Sequence, residues 1–331
     1  MIETVYVEEA LWDHPRVTAL RERLPGRRWV RCNHYGEVFN PKPQHFRLQK
    51  RRPALIVARK PSRLLMEAPS GYAIGGRHNY YFSHLLNCPY DCRYCFLQGM
   101  FRSANFVWFV NYEDFQRAIE ATRRKHPGEA VYFFSGYDSD SLALEPVTGF
   151  AGYFLEGFSR MPKNAFLELR SKSTNIRPLL GREALPNVIC AFSFTPDIVS
   201  ARWEAGVPPV ERRIGALQKL QARGWPIGLR FDPLIHVPGW REHYRRLFEQ
   251  LFARLDGGGI HSVSIGVFRL PRGHYDRMVD LYPSEPLFHG PLAVERRIVA
   301  YHRALEEEMV DFCRQALLEF LPGEKLFSCQ F

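Results

Sequence analysis

No stretch of this sequence approaches the ~20 consecutive apolar residues of a membrane-spanning helix, which argues against a spanning segment. The opening residues Met1, Ile2, Glu3, Thr4 and Val5 lack the pattern of a secretory signal, so the expectation is a cytoplasmic protein with no membrane partner. A second C-x-x-C pair is missing as well, and with it the usual zinc pattern of two separated pairs. Cysteines number seven, an odd count that suits a reducing compartment. Acid is in short supply: 45 Lys and Arg face 35 Asp and Glu, leaving a net charge of +10. The excess is dense between His45 and Arg63. Such a run favours a polyanion such as nucleic acid, although a solvated face accounts for charge alone equally well. With 331 residues, 46% of them apolar, the chain can bury one large core, or a barrel with a smaller domain.

What the sequence does have is a concentration of thiols. Cys88, Cys92 and Cys95 stand in Asn-Cys-Pro-Tyr-Asp-Cys-Arg-Tyr-Cys-Phe-Leu-Gln, residues 87–98, spaced C-x-x-x-C-x-x-C. Three thiols on one short loop cannot all pair as disulfides, but they can hold three irons of a cubic [4Fe-4S] cluster. The fourth iron is then left for a cofactor or substrate. A zinc loop or a purely structural cluster is the competing reading. The spacing, with Tyr94 just before the third cysteine, resembles the signature of the radical S-adenosylmethionine superfamily. That resemblance implies that S-adenosylmethionine binds the open iron and is split to methionine and a 5′-deoxyadenosyl radical.

Along the chain, residues 1–75 read as a small irregular N-terminal cap. It has strand candidates at Val5–Val7 and Leu55–Ala58, a helix from Pro15 to Arg23, and Pro41, Pro43, Pro53, Pro61 and Pro69 as interruptions. A strand-then-helix rhythm then begins. Strands are expected at about 79–86, 130–135, 165–171, 187–194, 226–232 and 260–268, with helices at about 111–125, 146–160, 174–181, 207–223 and 239–255. Asn111 is the expected N-cap of the first helix, with Glu113 and Asp114 in its first turn. Six such units predict an α/β fold, a partial (β/α)6 barrel of the radical S-adenosylmethionine type over residues 76–270. A C-terminal extension with a basic hairpin or loop and a helix follows over 271–331.

Chemistry in such a sheet sits at the carboxyl ends of the strands. The second strand ends in Ser135 and Gly136, in the place where the superfamily receives the cofactor's amino group; short hydroxyls and glycine carbonyls suit an ammonium, and Asp138 or Asp140 adds charge. A turn capping the next helix explains the same residues. Lys172, after the third strand, can pair the cofactor carboxylate or face solvent. Ser193 ends the fourth strand, Asp232 the fifth, and Arg269 follows the sixth. Trp108, Trp203, Trp225 and Trp240 are candidates either for stacking on a base or for the core.

The order of Cys88 to Gln98, FSGYDSDSLALE, LELRSKS, AFSFTPD, GLRFDPLIHVPGW, Tyr244, FRLPRG and Tyr282-Pro283 is similar to the spore photoproduct lyase family. The resemblance extends to the opening Val5-Tyr6-Val7-Glu8. It implies a carbon–carbon lyase that repairs a methylene-bridged thymine lesion in ultraviolet-damaged DNA, fed by a reductant such as flavodoxin or ferredoxin, as a monomer. It implies that Cys88, Cys92 and Cys95 ligate the cluster and that Ser135, Gly136, Asp138, Lys172 and Ser193 contact S-adenosylmethionine. Arg269 and Arg272 would meet DNA. Two family features are missing. The donor cysteine after the second strand has no counterpart in Ser135-Gly136-Tyr137, and the tyrosine after the third cluster cysteine is Phe96. Tyr94, Tyr137 and Cys329 are therefore the candidates for returning hydrogen, with a mobile terminal thiol as the plainer view of Cys329. Cys32, Cys190 and Cys313 read as buried apolar side chains. Two alternatives stay open: a radical enzyme acting on a peptide, RNA or small molecule, and a non-enzymatic iron–sulfur protein that binds DNA.

Overall fold

The computed structural model describes residues 2–40, 42, 44–69 and 71–329. All six expected barrel strands form, at His78–Phe82, Val131–Ser135, Ala165–Ser171, Val188–Ser193, Ile227–Leu234 and Ile260–Val267. Each lies parallel to the next in chain order. Helices Tyr112–Arg124, Phe150–Ser159, Arg177–Leu180, Val210–Gln221 and Trp240–Phe252 lie in the five connections. The sheet stays open: Met66–Glu67 pairs antiparallel with the first strand at one edge, and Leu326–Ser328 pairs parallel with the sixth at the other. The architecture is an α/β partial barrel. Among the described residues no helix is long and apolar enough to cross a membrane.

Side-chain alternation along the strands sorts the two faces. Leu167, Leu169, Val188, Cys190, Ile227 and Leu229 belong to the large core that includes the surrounding helices. Tyr132, Phe134, Ile189 and Ala191, of the opposite parity, form a smaller apolar cluster with Ile74. On that inner face Glu168 and Arg230 meet at 2.8 Å with both side chains fully buried. Arg170 reaches the same carboxylate through Nε at 2.8 Å. Gly228 makes room for this pair, since a Cβ there would lie 2.7 Å from Arg230 Nη2 and 2.9 Å from the Ala191 Cβ. Two residues further along their strands, the same parity brings Arg170, Ser193 and Asp232 to the barrel mouth.

The N-terminal part is more regular than its prolines suggest. Arg28–Cys32, Thr4–Glu8, Leu55–Ala58 and Phe106–Phe109 form a parallel sheet in that order, edged antiparallel by Leu85–Leu86. Segments on both sides of residue 75 therefore share one sheet. Arg28–Cys32 escapes recognition in the sequence because, as an edge strand, it exposes Arg28 and Arg31. The single strand expected over about 79–86 divides: His78–Phe82 joins the barrel, while Leu85–Leu86 crosses to the N-terminal sheet. Both pieces are apolar, so periodicity cannot assign them to different sheets. Asn111 occupies the N-cap position without capping the helix. Its amide instead binds the Lys60 backbone, accepting at 2.9 Å and donating at 3.0 Å, and so ties the helix start to the end of Leu55–Ala58.

The Glu168 carboxyl would be pushed up by burial, but Arg230 and Arg170 outweigh that effect and hold it at about 2, below the usual 4.5. Its stabilising contribution is therefore present above about pH 4.5 and is lost as pH falls toward 2. Glu168→Gln leaves Arg230 buried without a counter-charge and is expected to cost about 3–5 kcal/mol. Denaturant unfolding at neutral pH checks this, and the gap between variant and wild type should narrow in acid.

Candidate active site

The cysteine loop is braced from several directions. Asn87, at φ 66, turns the chain just ahead of Cys88, and its amide donates to the Ser103 and Asn105 carbonyls at 2.8 and 2.7 Å. Asparagine tolerates this left-handed backbone better than most residues. Lys50 reaches across from the N-terminal part and donates to the carbonyls of Cys88 and Tyr90, both at 2.9 Å. Gln98 donates to Asp91 at 2.9 Å and to the Cys92 carbonyl at 3.3 Å. On the barrel side, Asp91–Cys92 pairs antiparallel with Glu204–Ala205, placing Cys92 opposite Glu204.

Glu204 is the charged centre beneath this loop. Its carboxylate accepts from the Tyr94 hydroxyl, from Thr195 and Ser200 at 2.9 Å each, and from Arg213 Nη2 at 2.7 Å, with Lys172 Nζ at 3.4 Å. Burial raises the carboxyl, but Lys172 and Arg213 bring it down to about 2. No sequence motif marks Glu204 or Lys50; the partners of each are distant in the chain and meet only in the fold.

Cys88, Cys92 and Cys95 carry no disulfide and line one cavity of about 210 Å³. Burial pushes all three thiols above their ordinary range, an effect that bound cationic iron would offset. Among the described residues, the ligand atoms of three or more His, Cys, Asp or Glu come within 4.8 Å of one another only at His78, His126 and Glu129. At least one pair of the three thiols thus stands wider than the roughly 4 Å separations imposed by one tetrahedral zinc. Their spread and shared cavity fit a multi-iron cluster.

The same cavity gathers Gly136, Tyr137, Lys172, Ser193, Tyr94 and Arg269. Tyr94 is buried, and its hydroxyl is committed to Glu204. Tyr137 lies against Tyr81, ring centroids 4.3 Å apart, and faces Phe96 at 5.6 Å. Gly136, at φ 81, is packed so closely that a Cβ would meet Ser141 Oγ at 2.7 Å and the Arg170 carbonyl at 2.8 Å.

Other expected positions lie differently. The Ser135 hydroxyl is engaged internally, with Ser141 Oγ at 2.7 Å and the Glu168 carbonyl at 2.8 Å. Asp138 turns away from the cavity to accept from Ser83 Oγ. Asp140 spends its carboxylate on the backbone N–H groups of Leu142, Ala143 and Lys172 and on Ser171 Oγ. Ser139, beside them, lines the cavity with a buried hydroxyl that has no protein partner.

Arg269, expected among outward phosphate contacts, is turned into the cavity wall, bonded to Asp232 at 3.2 Å and Tyr72 at 3.0 Å. Arg272 is exposed at the start of helix Arg272–Leu281 and pairs with Asp276 at 2.7 Å. Beside it, hairpin strands Leu292–Glu295 and Ile298–Tyr301 turn at Arg296 and Arg297, both exposed and at positive φ. All four tryptophans considered for base stacking are core residues. Cys329, expected as a mobile terminal thiol, is instead buried, and its N–H donates to the Ile265 carbonyl at 2.8 Å.

An open parallel barrel with three unpaired thiols at its mouth is the architecture shared by radical S-adenosylmethionine proteins. A sequence profile of the spore photoproduct lyase family matches residues 77–270, and the chain belongs to that family. Spore photoproduct lyase of Bacillus subtilis (strain 168) is 27% identical over 178 residues, and that of Geobacillus sp. (strain Y412MC61) 25% over 172. These alignments take in 54% and 51% of this chain and span about half the length of the relatives, 52% and 50%. Among solved structures, a two-site variant of spore photoproduct lyase with bound AdoMet and dinucleoside spore photoproduct superposes with a TM-score of 0.86 at 18% identity, covering 100% of this chain and 99% of that one. Spore photoproduct lyase complexed with dinucleoside spore photoproduct gives 0.84 at 19% with the same coverage. At these identities the superpositions establish the fold.

Glu204→Gln removes the charge that Lys172 and Arg213 share, and should loosen the strand pair that holds Cys92. In metal-free protein, alkylation of Cys92 followed by mass spectrometry is expected to run faster in the variant than in wild type.

Proposed function

We propose that this chain is a radical S-adenosylmethionine enzyme that repairs a thymine lesion in DNA. The observation that carries the reading is the convergence of three unpaired thiols, Cys92 buried and Cys88 and Cys95 half-buried, and the inward residues of the strand ends on one cavity in a member of this family. Cys88, Cys92 and Cys95 would hold a [4Fe-4S] cluster. When bound, cluster and S-adenosylmethionine together supply a hydrogen-abstracting radical, with the electron coming from a flavodoxin or ferredoxin.

The protein's own part is to bind, orient and exclude water. Lys172 stands over the Tyr94 ring, Nζ 5.7 Å from its centroid, and offers an ammonium to the cofactor carboxylate. The Ser139 hydroxyl and the Gly136 carbonyl suit the amino group, with Ser193 beside them. Asp140 holds the backbone N–H groups of Leu142, Ala143 and Lys172, while Asp138 is bonded to Ser83 and Ser135 to Ser141 and the Glu168 carbonyl. Phe96, Leu97, Val267, Phe268 and Leu270 give the cavity an apolar rim that keeps solvent from a radical. Arg269 and Asp232 face the space where lesion carbonyls and N–H groups would sit. Exposed Arg272, Arg296 and Arg297 form the outer basic edge for phosphates.

Anaerobic reconstitution with dithionite, S-adenosylmethionine and dinucleoside spore photoproduct should yield 5′-deoxyadenosine and thymine together by chromatography. Deoxyadenosine without thymine would overturn the lesion assignment while leaving the radical chemistry. Cys92→Ala is expected to lose both the brown cluster absorbance and cofactor cleavage. Arg296→Glu combined with Arg297→Glu should weaken oligonucleotide binding and lower the salt slope by about one per lost phosphate contact, as a fluorescence titration at several salt concentrations would report.

A further inference from the structure

Hydrogen abstraction leaves the product one hydrogen atom short, and some group at the mouth must return it. A thiol is well suited, because its weak S–H bond can be broken homolytically. The usual position after the second strand carries Ser135, Gly136 and Tyr137, with no thiol. Cys32, Cys190 and Cys313 line neither the main cavity nor the smaller one beside it.

Cys329 is placed differently. Strand Leu326–Ser328 extends the barrel sheet by pairing parallel with the sixth strand, Val263 with Leu326, Ser264 with Phe327 and Ile265 with Ser328. Because this added strand runs parallel to the other six, Cys329 emerges at the carboxyl end of the sheet, the end that carries the main cavity. The thiol is 6% exposed and lines a side cavity of about 30 Å³. Tyr72, Tyr137 and Arg170 belong to both cavities and form the wall between them. A second feature marks the side cavity as built for a ligand group. Ser264, 1% exposed, lines it with a hydroxyl that has no hydrogen-bond partner.

Resting on the repair function proposed above, we infer that Cys329 is the hydrogen-atom donor of this enzyme, acting across the wall formed by Tyr72 and Tyr137. In the step, the S–H bond of Cys329 breaks homolytically and a C–H bond forms on the thymine product radical, leaving a thiyl radical. If a tyrosine O–H at the wall relays the atom, it is broken and re-formed with no net change. The thiyl returns to thiol by taking one electron from the flavodoxin- or ferredoxin-class reductant and one proton from solvent. Burial raises the thiol to about 11, which keeps it protonated, as a hydrogen-atom donor must be, at neutral pH.

Two measurements test this assignment. In metal-free wild-type protein, dinucleoside spore photoproduct should slow iodoacetamide alkylation of Cys329 and leave that of Cys32 unchanged; an unaltered Cys329 rate overturns the inference. In reconstituted protein equilibrated in D2O, wild type should place solvent deuterium in the thymine methyl group. Cys329→Ser and Cys329→Ala should lose most of the thymine formed per 5′-deoxyadenosine. Equal thymine yield and equal deuterium in wild type and variants would sink the donor role and leave the repair function standing. A wild type that converts no lesion would remove the repair function, and the donor role with it.

Discussion

The buried carboxylate of Glu204 is the constraint on which the mouth of this protein depends. It sits on a two-residue strand directly opposite Cys92 and gathers two cations and three hydroxyls. An unpaired carboxylate at that depth would be prohibitively costly, so each partner is held in place by the need to satisfy it. Arg213 comes from a helix, Lys172 follows a barrel strand, and Tyr94 belongs to the cysteine loop itself. One charge thereby fixes the loop, the third strand end and the fourth connection relative to each other.

A second buried ion pair, Glu168 with Arg230, does the same work deeper in the barrel. This second pair lies on the inner face of the barrel sheet: residues two positions beyond Glu168 and Arg230 on their strands are Arg170 and Asp232, which line the cavity. The identity of these lining groups therefore originates in strand alternation. The N-terminal sheet contributes as well, because Lys50 braces the loop from the side the barrel cannot reach.

Placement of thiols follows the same logic. Three lie on the braced loop, three are inert core groups, and one is carried by an added parallel strand to the carboxyl end of the sheet. A chain lacking cysteine after its second strand still presents a protonated thiol beside the cavity, separated from it by aromatic rings.

The C-x-x-x-C-x-x-C spacing, the strand-then-helix rhythm and the inert character of Cys32, Cys190 and Cys313 were legible in the sequence, because local spacing and periodicity encode them directly. Local sequence alone sufficed for the six barrel strands, the three-cysteine loop and the family. It left open the partners of charged and polar side chains, because these come from residues tens of positions apart. Folding was needed to show that Asp138, Asp140 and Ser135 satisfy the backbone and neighbouring side chains, that Arg269 turns inward, that Glu204 and Lys50 hold the loop, and that Cys329 is buried in the side cavity next to the mouth. The physical reason is common to all of them: a buried polar group must find its partner, and which partner is within reach is set by how the strands are brought together.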